Sequence, residues 1–300
     1  MKESILFICL LYCGSFLCNA QEFSPRAYWP APKGTMLGVS GYSYSLGDVV
    51  TDPSLPIAGI DSRISTFFLS YVNTLSLFGR TSNLVIELPY LWGTTIGTLN
   101  GDTLRRDISG IGDIGVTFSV NLIGAPSMSR DEFQQLRNDP HQILGISFKI
   151  LVPVGTYNAE KLINTGANRW ALRTQLGYII PIQKKWLVEF NLGAWFFGNN
   201  ADFLGVTREQ KPIMATELNL VRRFKPGFWV ALDLNYFTGG HTIIGGKLNA
   251  DMQRNSRIGG AVVYPFYGRH SLKASFSMGM VTKSGNDFKT IMLTYLVLLN

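Results

Sequence analysis

Long stretches of the chain alternate strictly between apolar and polar residues. From Ile114 to Leu122 every second residue is apolar, and the residues between them are glycine or polar. An alternation of period two places the two sets on opposite faces of a β-strand. The same pattern returns over 144–152, 188–196 and 272–280, and each stretch is long enough to cross a bilayer as a tilted strand. This repetition predicts a membrane-spanning β-barrel.

Counting such stretches gives about twelve strands, and an even number is typical of bacterial outer-membrane barrels. The predicted fold class is therefore all-β, a transmembrane antiparallel up-and-down barrel. The predicted strands cover residues 36–46, 62–75, 81–90, 112–122, 143–152, 169–180, 186–197, 213–223, 228–238, 256–266, 271–282 and 288–299.

The connections between these strands differ in length in a regular way. Those after the first, third, fifth, seventh and ninth strands are long, at 47–61, 91–111, 153–168, 198–212 and 239–255. Most of the others are short, and long outer loops opposite short periplasmic turns are typical of membrane barrels. A soluble β-sandwich also alternates, but its strands are shorter and its loops need not sort by length.

One connection on the short side, 123–142, is long. It contains Ser129 followed by Glu132, the spacing of a capping box that begins a helix. We predict a short periplasmic helix near 129–137, either a capped single turn or a docking element.

Residues 1–20 have the charged start, apolar middle and small-residue end of a secretory signal peptide. We predict that 21–300 form the barrel and are exported to the bacterial outer membrane. All three cysteines lie within 1–20, so the exported chain would carry no disulfide and no cysteine metal site. After residue 20, no apolar run approaches the roughly 18 residues that a spanning helix needs.

The chain is basic, with 27 lysines and arginines against 20 acidic residues. No basic motif typical of nucleic-acid binding is present, so we expect no nucleic-acid partner. The expected partners are outer-membrane lipids, a small-molecule solute and the barrel-assembly machinery. Anionic lipid headgroups would suit the basic residues that cluster in the short turns, namely Lys184, Lys185, Arg222, Arg223, Lys225 and Arg269.

In a barrel, the polar set of the alternation faces the lumen. Its charged members are mixed in sign, and Asp113 could pair with one of the basic residues. Two interpretations stay open: an ion-pair network that fills a narrow interior, or a pore lining that sets selectivity. These candidate residues are Glu87, Asp113, Lys149, Arg173, Glu189, Glu217, Asp233, Arg257 and Lys273.

The long segment after the fifth strand contains four candidates for a constriction of the pore, Tyr157, Asn164, Asn168 and Arg169. The segment could fold inward over the lumen, or it could be an ordinary solvated surface loop.

The only histidines, His141, His241 and His270, lie in three different connections. We do not expect any two of them to share a zinc site or a catalytic dyad. No Gly-x-Ser-x-Gly motif is present. We predict no catalytic residue, metal or cofactor, although a serine and a histidine on different strands could still form a hydrolase site.

Six short segments, in this order and spacing, are similar to those of a family of outer-membrane transporters associated with meta-pathway phenol degradation. They are 25–30 (PRAYWP), 41–44 (GYSY), 87–90 (ELPY), 110–113 (GIGD), 153–157 (PVGTY) and 164–170 (NTGANRW). The resemblance implies a channel for small, often hydrophobic or aromatic compounds.

The leading functional hypothesis is passive uptake of a small solute through the charged lumen. One alternative is a closed barrel without a pore that serves a structural or binding role. A barrel-embedded hydrolase is the third, and it would need a histidine beside a serine at one rim.

Overall fold

The computed structural model describes residues 24–47, 58–99, 102–282 and 287–300; the predicted signal peptide lies outside these ranges. The described residues form seventeen strands and one helix. In chain order they are β1 Met36–Gly47, β2 Ala58–Leu77, β3 Arg80–Leu99, β4 Asp102–Ile111, β5 Ile114–Ile123, α1 Arg130–Asn138, β6 Ile143–Val152, β7 Ala171–Gln183, β8 Trp186–Phe197, β9 Asn200–Phe203, β10 Val206–Gln210, β11 Ile213–Arg223, β12 Trp229–Gly239, β13 Thr242–Ile244, β14 Lys247–Leu248, β15 Gln253–Phe266, β16 His270–Thr282 and β17 Phe288–Leu298.

Thirteen of the strands form one antiparallel sheet that closes on itself. The pairing of β1 with β17 and of β2 with β3 joins the two ends of the strand order. Strands β4 and β5 share one position, because β3 pairs with β5 over Ser82–Glu87 and with β4 over Tyr90–Leu99. The wall is therefore a barrel of twelve strands, which confirms the predicted fold class.

The alternation of the sequence sorts residues between the two faces of this wall. On β11 and β12 the apolar residues Met214, Leu218 and Leu232 are exposed on the outside, whereas Glu217 and Asp233 are buried inside. A pattern with polar residues inside and apolar residues outside suits a sheet whose outer face contacts lipid.

The barrel has a turn end and a loop end. At the turn end, residues with positive φ form tight hairpins, such as Phe78–Gly79 (φ 48° and 73°) and Tyr267–Gly268 (φ 46° and 65°). These angles match the type I′ turn that fits the twist of paired strands. The loop end carries the connection 153–170 and a second, four-stranded sheet of β9, β10, β13 and β14.

The loop end contains more strand than the sequence analysis predicts. The range 91–111 is predicted to be a loop, but its residues 91–99 extend β3 and its residues 102–111 form β4. The glycines Gly93 and Gly97 hide the alternation there, although Asn100–Gly101 in the sequence is itself a strong hairpin signal. The small sheet likewise arises within predicted loops 198–212 and 239–255.

A helix forms at the turn end where the sequence predicts one. Ser129 is the N-cap residue of α1: its hydroxyl accepts from the Glu132 amide at 3.3 Å, and its own amide donates to the Glu132 carboxylate at 2.7 Å. Leu136 and Phe133 of the helix belong to an apolar cluster that includes Tyr28 and Trp29. The helix thus packs against the interior of the barrel at this end.

Within the parts of the chain that the structure describes, no helix is both long enough and apolar enough to span a membrane.

Candidate functional site

The segment that precedes β1, residues 24–35, enters the barrel at the turn end. We call it the N-terminal segment. Tyr28 and Trp29 are both buried. The Tyr28 hydroxyl lies 2.8 Å from the Ser147 hydroxyl, and it donates to Gln175 at 3.1 Å. The Asn121 side-chain amide donates to the Tyr28 carbonyl at 3.0 Å.

Two glycines on adjacent strands make room for the Tyr28 ring. Gly145 on β6 is paired with Gly177 on β7. A Cβ atom at Gly145 would lie 2.3 Å from a ring carbon of Tyr28, and one at Gly177 would lie 2.0 Å from another. Both distances are shorter than van der Waals contact, so the Tyr28 ring can occupy this position only because both residues are glycine.

The N-terminal segment also contacts what we call the polar wall, the inward face of β7, β8, β11 and β12. Glu217 accepts from Arg173 Nη2 at 3.0 Å, from Asn191 Nδ2 at 2.9 Å and from the Ser24 hydroxyl at 2.9 Å. On β8, Glu189 accepts from the Arg26 amide at 2.6 Å. These buried carboxylates therefore hold the segment inside the barrel.

The remaining candidate lumen residues also face inward, with mixed partners. Lys149 Nζ lies 2.7 Å from Glu87 Oε2, which forms an ion pair between β6 and β3. Asp233 and Lys273 both line a central cavity. Arg257 donates to the Phe288 carbonyl at 2.9 Å and to the Ser277 hydroxyl at 2.8 Å, and its guanidinium lies 3.8 Å from the centre of the Phe288 ring.

The central cavity has a volume of about 400 Å³ and lies between the N-terminal segment and the loop end. One side of it is formed by the inward face of β1, β2 and β17, which we call the apolar wall. Most of the side chains that this wall turns toward the cavity are apolar, including Val39, Phe68, Val72, Met292 and Leu296. The lumen is therefore divided lengthwise, with charged and amide side chains on one side and uncharged side chains, mostly apolar with some serine and threonine, on the other.

Connection 153–170 folds inward over this cavity, the first of the two conformations considered from sequence. Asp113 holds it in place: the Asp113 carboxylate accepts from the Gly155 amide and from the Ala167 amide, each at 2.9 Å. Asp113 lies between β4 and β5, and through these two backbone amides it clamps the loop. The short segments GIGD, PVGTY and NTGANRW meet at this carboxylate.

The four constriction candidates all take part in fixing the loop. The Asn164 side chain bonds to the amide and carbonyl of Asn158, and the Tyr157 hydroxyl donates to the Asp202 carbonyl at 2.8 Å. Asn168, in the left-handed region at φ 52°, donates to the Asn200 side chain at 3.0 Å. Arg169 is buried and donates to Gln210 Oε1 at 2.5 Å.

An apolar lid lies above the cavity at the loop end. It joins residues of the barrel wall with residues of the loops, packed as one buried cluster. Its buried members are Ile64, Leu91, Ile108, Ile163, Phe203 and Phe288.

Sequence reasoning missed two contributors to this interior. The first is the N-terminal segment, for which the motif PRAYWP was the only signal. The second is Arg208 on β10, which is 1% exposed and lines the cavity. The strand that carries Arg208 was predicted to be a loop, so the alternation could not assign this residue to the inward or the outward face.

The three histidines lie in separate places. His141 bonds to the Gly124 carbonyl, His241 to the Asn249 carbonyl and His270 to the Tyr295 hydroxyl. In the described ranges, no histidine is hydrogen-bonded to a serine and no three potential metal ligands cluster.

The fold is similar to that of solved membrane barrels. An outer membrane channel from Pseudomonas putida F1 aligns with a TM-score of 0.74 and 21% identity, covering 93% of this chain and all of that one. The transport unit of the autotransporter AIDA-I from Escherichia coli has a TM-score of 0.53 and 10% identity, with 99% and 98% coverage. The beta domain of the Bordetella autotransporter BrkA has a TM-score of 0.53 and 13% identity, with 89% and 100% coverage.

Of these similar structures, one is named as a channel and one as a transport unit. No curated protein matches the sequence. A family described as "Putative MetA-pathway of phenol degradation" has a model that matches residues 42–295. The match spans most of the chain and confirms the resemblance seen in the short segments, so the chain belongs to this family.

Proposed function

We propose that the protein is an outer-membrane channel for passive uptake of small, hydrophobic or aromatic compounds. The observation that carries this proposal is the cavity of about 400 Å³ inside a closed barrel, with mostly apolar, uncharged side chains along one side. A pocket of this size accommodates a small organic molecule. No reaction and no cofactor are needed.

In this proposal the loop end faces the outside, and residues 1–20 are a signal peptide that directs export. The charged lumen residues and the four constriction residues shape the path, while lipids surround the wall. The barrel-assembly machinery would insert the chain. A solute would enter between the loops, occupy the cavity and leave beside the N-terminal segment.

A closed barrel without a pore is the second candidate, and one observation favours it. The N-terminal segment and α1 together fill the turn end, through the apolar cluster around Tyr28 and Trp29. If this packing never opens, the cavity binds a molecule without passing it on.

Planar-bilayer conductance and liposome swelling test the first candidate directly. We expect measurable conductance and faster swelling with small aromatic solutes than with sucrose. Val72→Trp should slow the swelling because it fills the cavity, whereas Tyr71→Trp, on the outward face of the same strand, should not. No conductance and no swelling above protein-free vesicles would reject the uptake channel.

The same assays on Tyr28→Ala distinguish a barrel that is closed at the turn end from an open channel. If only this variant conducts, the wild-type barrel is closed at the turn end.

A further inference from the structure

A row of cationic and aromatic side chains crosses the outer surface of the barrel at the turn end, and we call it the basic row. It begins at the start of β8, passes over the end of β11 and the turn that follows, and ends on β15. Neighbouring members contact one another through their rings. The members are Trp186, Arg222, Phe224, Phe228, Tyr264 and Lys225.

Aromatic rings hold both cations of the basic row. The Arg222 guanidinium lies 5.0 Å from the centre of the Trp186 ring and 5.1 Å from the centre of the Phe224 ring. Lys225 Nζ lies 4.8 Å from the centre of the Tyr264 ring. Contacts of this kind restrict long cationic side chains that would otherwise sample many rotamers. The two charges are therefore kept on the outer surface.

The Phe228 ring connects the two halves of the row. Its centre lies 4.7 Å from that of Phe224 and 5.4 Å from that of Tyr264. Phe224 and Tyr264 are 45% and 49% exposed, although each has a ring or a cation against it. Apolar surface therefore lies directly beside each charge.

Neither cation is neutralised by the protein. Arg222 and Lys225 are exposed, and no hydrogen bond or ion pair joins either side chain to another described residue. The next residue, Arg223, is different: it is buried and donates to the carbonyls of Arg137 and Lys184. Of the two adjacent arginines, only Arg222 keeps its donors available to an outside partner.

The turns that carry the basic row are positively charged. Segments 181–186, 222–229 and 264–270 contain no aspartate or glutamate. Acidic residues do occur at this end of the barrel on or beside α1, but that helix packs against the interior. The basic residues of the three turns are Lys184, Lys185, Arg222, Arg223, Lys225 and Arg269.

The basic row lies at the edge of the apolar band on the outer face. Toward the loop end, the outward residues of β11, β12 and β15 are apolar and exposed, as in Leu220, Leu232 and Val262. Beyond the row the chain turns back at Pro226 and Gly227, which are exposed. In membrane barrels, aromatic residues at such an edge mark the boundary between lipid chains and headgroups.

We propose that the basic row is a docking surface for anionic phospholipids of the leaflet that surrounds the turn end. The planar fork of Arg222 suits the oxygens of a lipid phosphate, and the Lys225 ammonium attracts a phosphate as a point charge. The two cations need not bind the same lipid, because each lies beside its own apolar surface for acyl chains. Binding at the outer surface does not depend on what passes through the lumen.

The charge of the three turns favours lipids with a net negative headgroup. Phosphatidylcholine also carries a phosphate, but its own cation cancels the attraction that each lysine or arginine near a membrane surface exerts. The exposed rings favour an amphiphile over a free anion, since inorganic phosphate has no apolar part to place against them. The preferred partner is therefore an anionic lipid such as phosphatidylglycerol.

Native mass spectrometry of the purified protein in detergent tests the surface. The probes are phosphatidylglycerol and phosphatidylcholine with identical acyl chains, and inorganic phosphate serves as competitor. We expect phosphatidylglycerol to bind at least about tenfold more tightly than phosphatidylcholine. An equal concentration of inorganic phosphate should not displace it. Equal binding of the two lipids, or displacement by phosphate, would overturn the proposal.

Two variants locate the preference on the outer surface. Arg222→Gln and Lys225→Gln should each reduce the preference for phosphatidylglycerol about fivefold and leave phosphatidylcholine binding unchanged. Arg254→Gln is the matched control, because Arg254 is an exposed arginine on β15 at the loop end. An unchanged preference in both basic-row variants, or an equal loss in the control, contradicts the inference.

Arg222→Lys separates shape from charge, and it also serves if Arg222→Gln does not fold, as judged by the mobility of unheated protein on a gel. Lysine keeps the charge but lacks the planar fork. We expect a loss of preference smaller than that of Arg222→Gln. A preference equal to that of the wild type would argue against recognition of the phosphate by the guanidinium.

Discussion

The polar wall and the apolar wall of the lumen follow the same alternating pattern, yet they have different neighbours. Side chains of the polar wall bind one another and the N-terminal segment, as Glu217 does with Arg173, Asn191 and Ser24. Side chains of the apolar wall, such as Phe68, face the cavity. The comparison indicates that one half of the interior is occupied by the chain itself, and the other half is left for a solute.

Removing a carboxylate from the polar wall should have the largest effect. Glu217→Ala leaves the Arg173 guanidinium buried without its partner, which should lower the free energy of unfolding by about 3–5 kcal/mol. Urea unfolding in lipid vesicles measures it. Thr216→Ala, the next residue on the outward face, is the control, and equal losses for the two variants would contradict the role of the buried pair.

Adding a methyl group beside the Tyr28 ring should give the next largest loss of stability. Gly177→Ala places a methyl group against the ring, and we expect a loss of about 1–3 kcal/mol together with a rise in conductance as the N-terminal segment is displaced. A double-mutant cycle checks the cause. In a Tyr28→Ala background, Gly177→Ala should cost much less, and an unchanged cost would place the strain elsewhere.

Releasing the loop that lies over both walls should cost no more than this. Asp113→Ala leaves the Gly155 and Ala167 amides without their acceptor, so the loss should be about 1–3 kcal/mol. Val116→Ile, a conservative change on the outward face, should have little effect. Thermal unfolding in detergent compares them, and equal melting temperatures would rule out the clamp.

Trimming the apolar wall should cost the least. Phe68 is half-buried beside Gly41, so Phe68→Ala should lower the free energy of unfolding by only about 1 kcal/mol while it enlarges the cavity. Bulkier aromatic solutes should then swell liposomes faster. Phe67→Ala, on the outward face of the same strand, should leave solute passage unchanged; an equal gain there would mean that Phe68 does not border the path.

Much of this architecture could be predicted from sequence because lipid imposes a strict period of two. For that reason the alternation assigns Glu189, Glu217 and Arg257 to the inward face, where the structure has them buried. The capping box indicates a helix start at Ser129, which is the N-cap residue of α1. Glycines in β3 interrupted the alternation and hid the hairpin of β3 and β4.

What the sequence did not indicate was which partner each inward residue has. The alternation of apolar and polar residues predicts that the Asp113 side chain faces the interior. It does not predict the loop that Asp113 binds, because that loop is more than 40 residues further along the chain. Arg208 was missed because the strand that carries it belongs to a small sheet built from loops. Such contacts depend on how long connections fold, and no local pattern encodes that.

The N-terminal segment also constrains the order of folding. Its partners on β6, β7, β8 and β11 follow it by 119 to 193 residues. Contacts of such large sequence separation form late, since the entropy of closing the intervening chain must be overcome first. The glycine notch exists only once β6 and β7 are paired, so we expect the tyrosine to enter it after that part of the wall has formed.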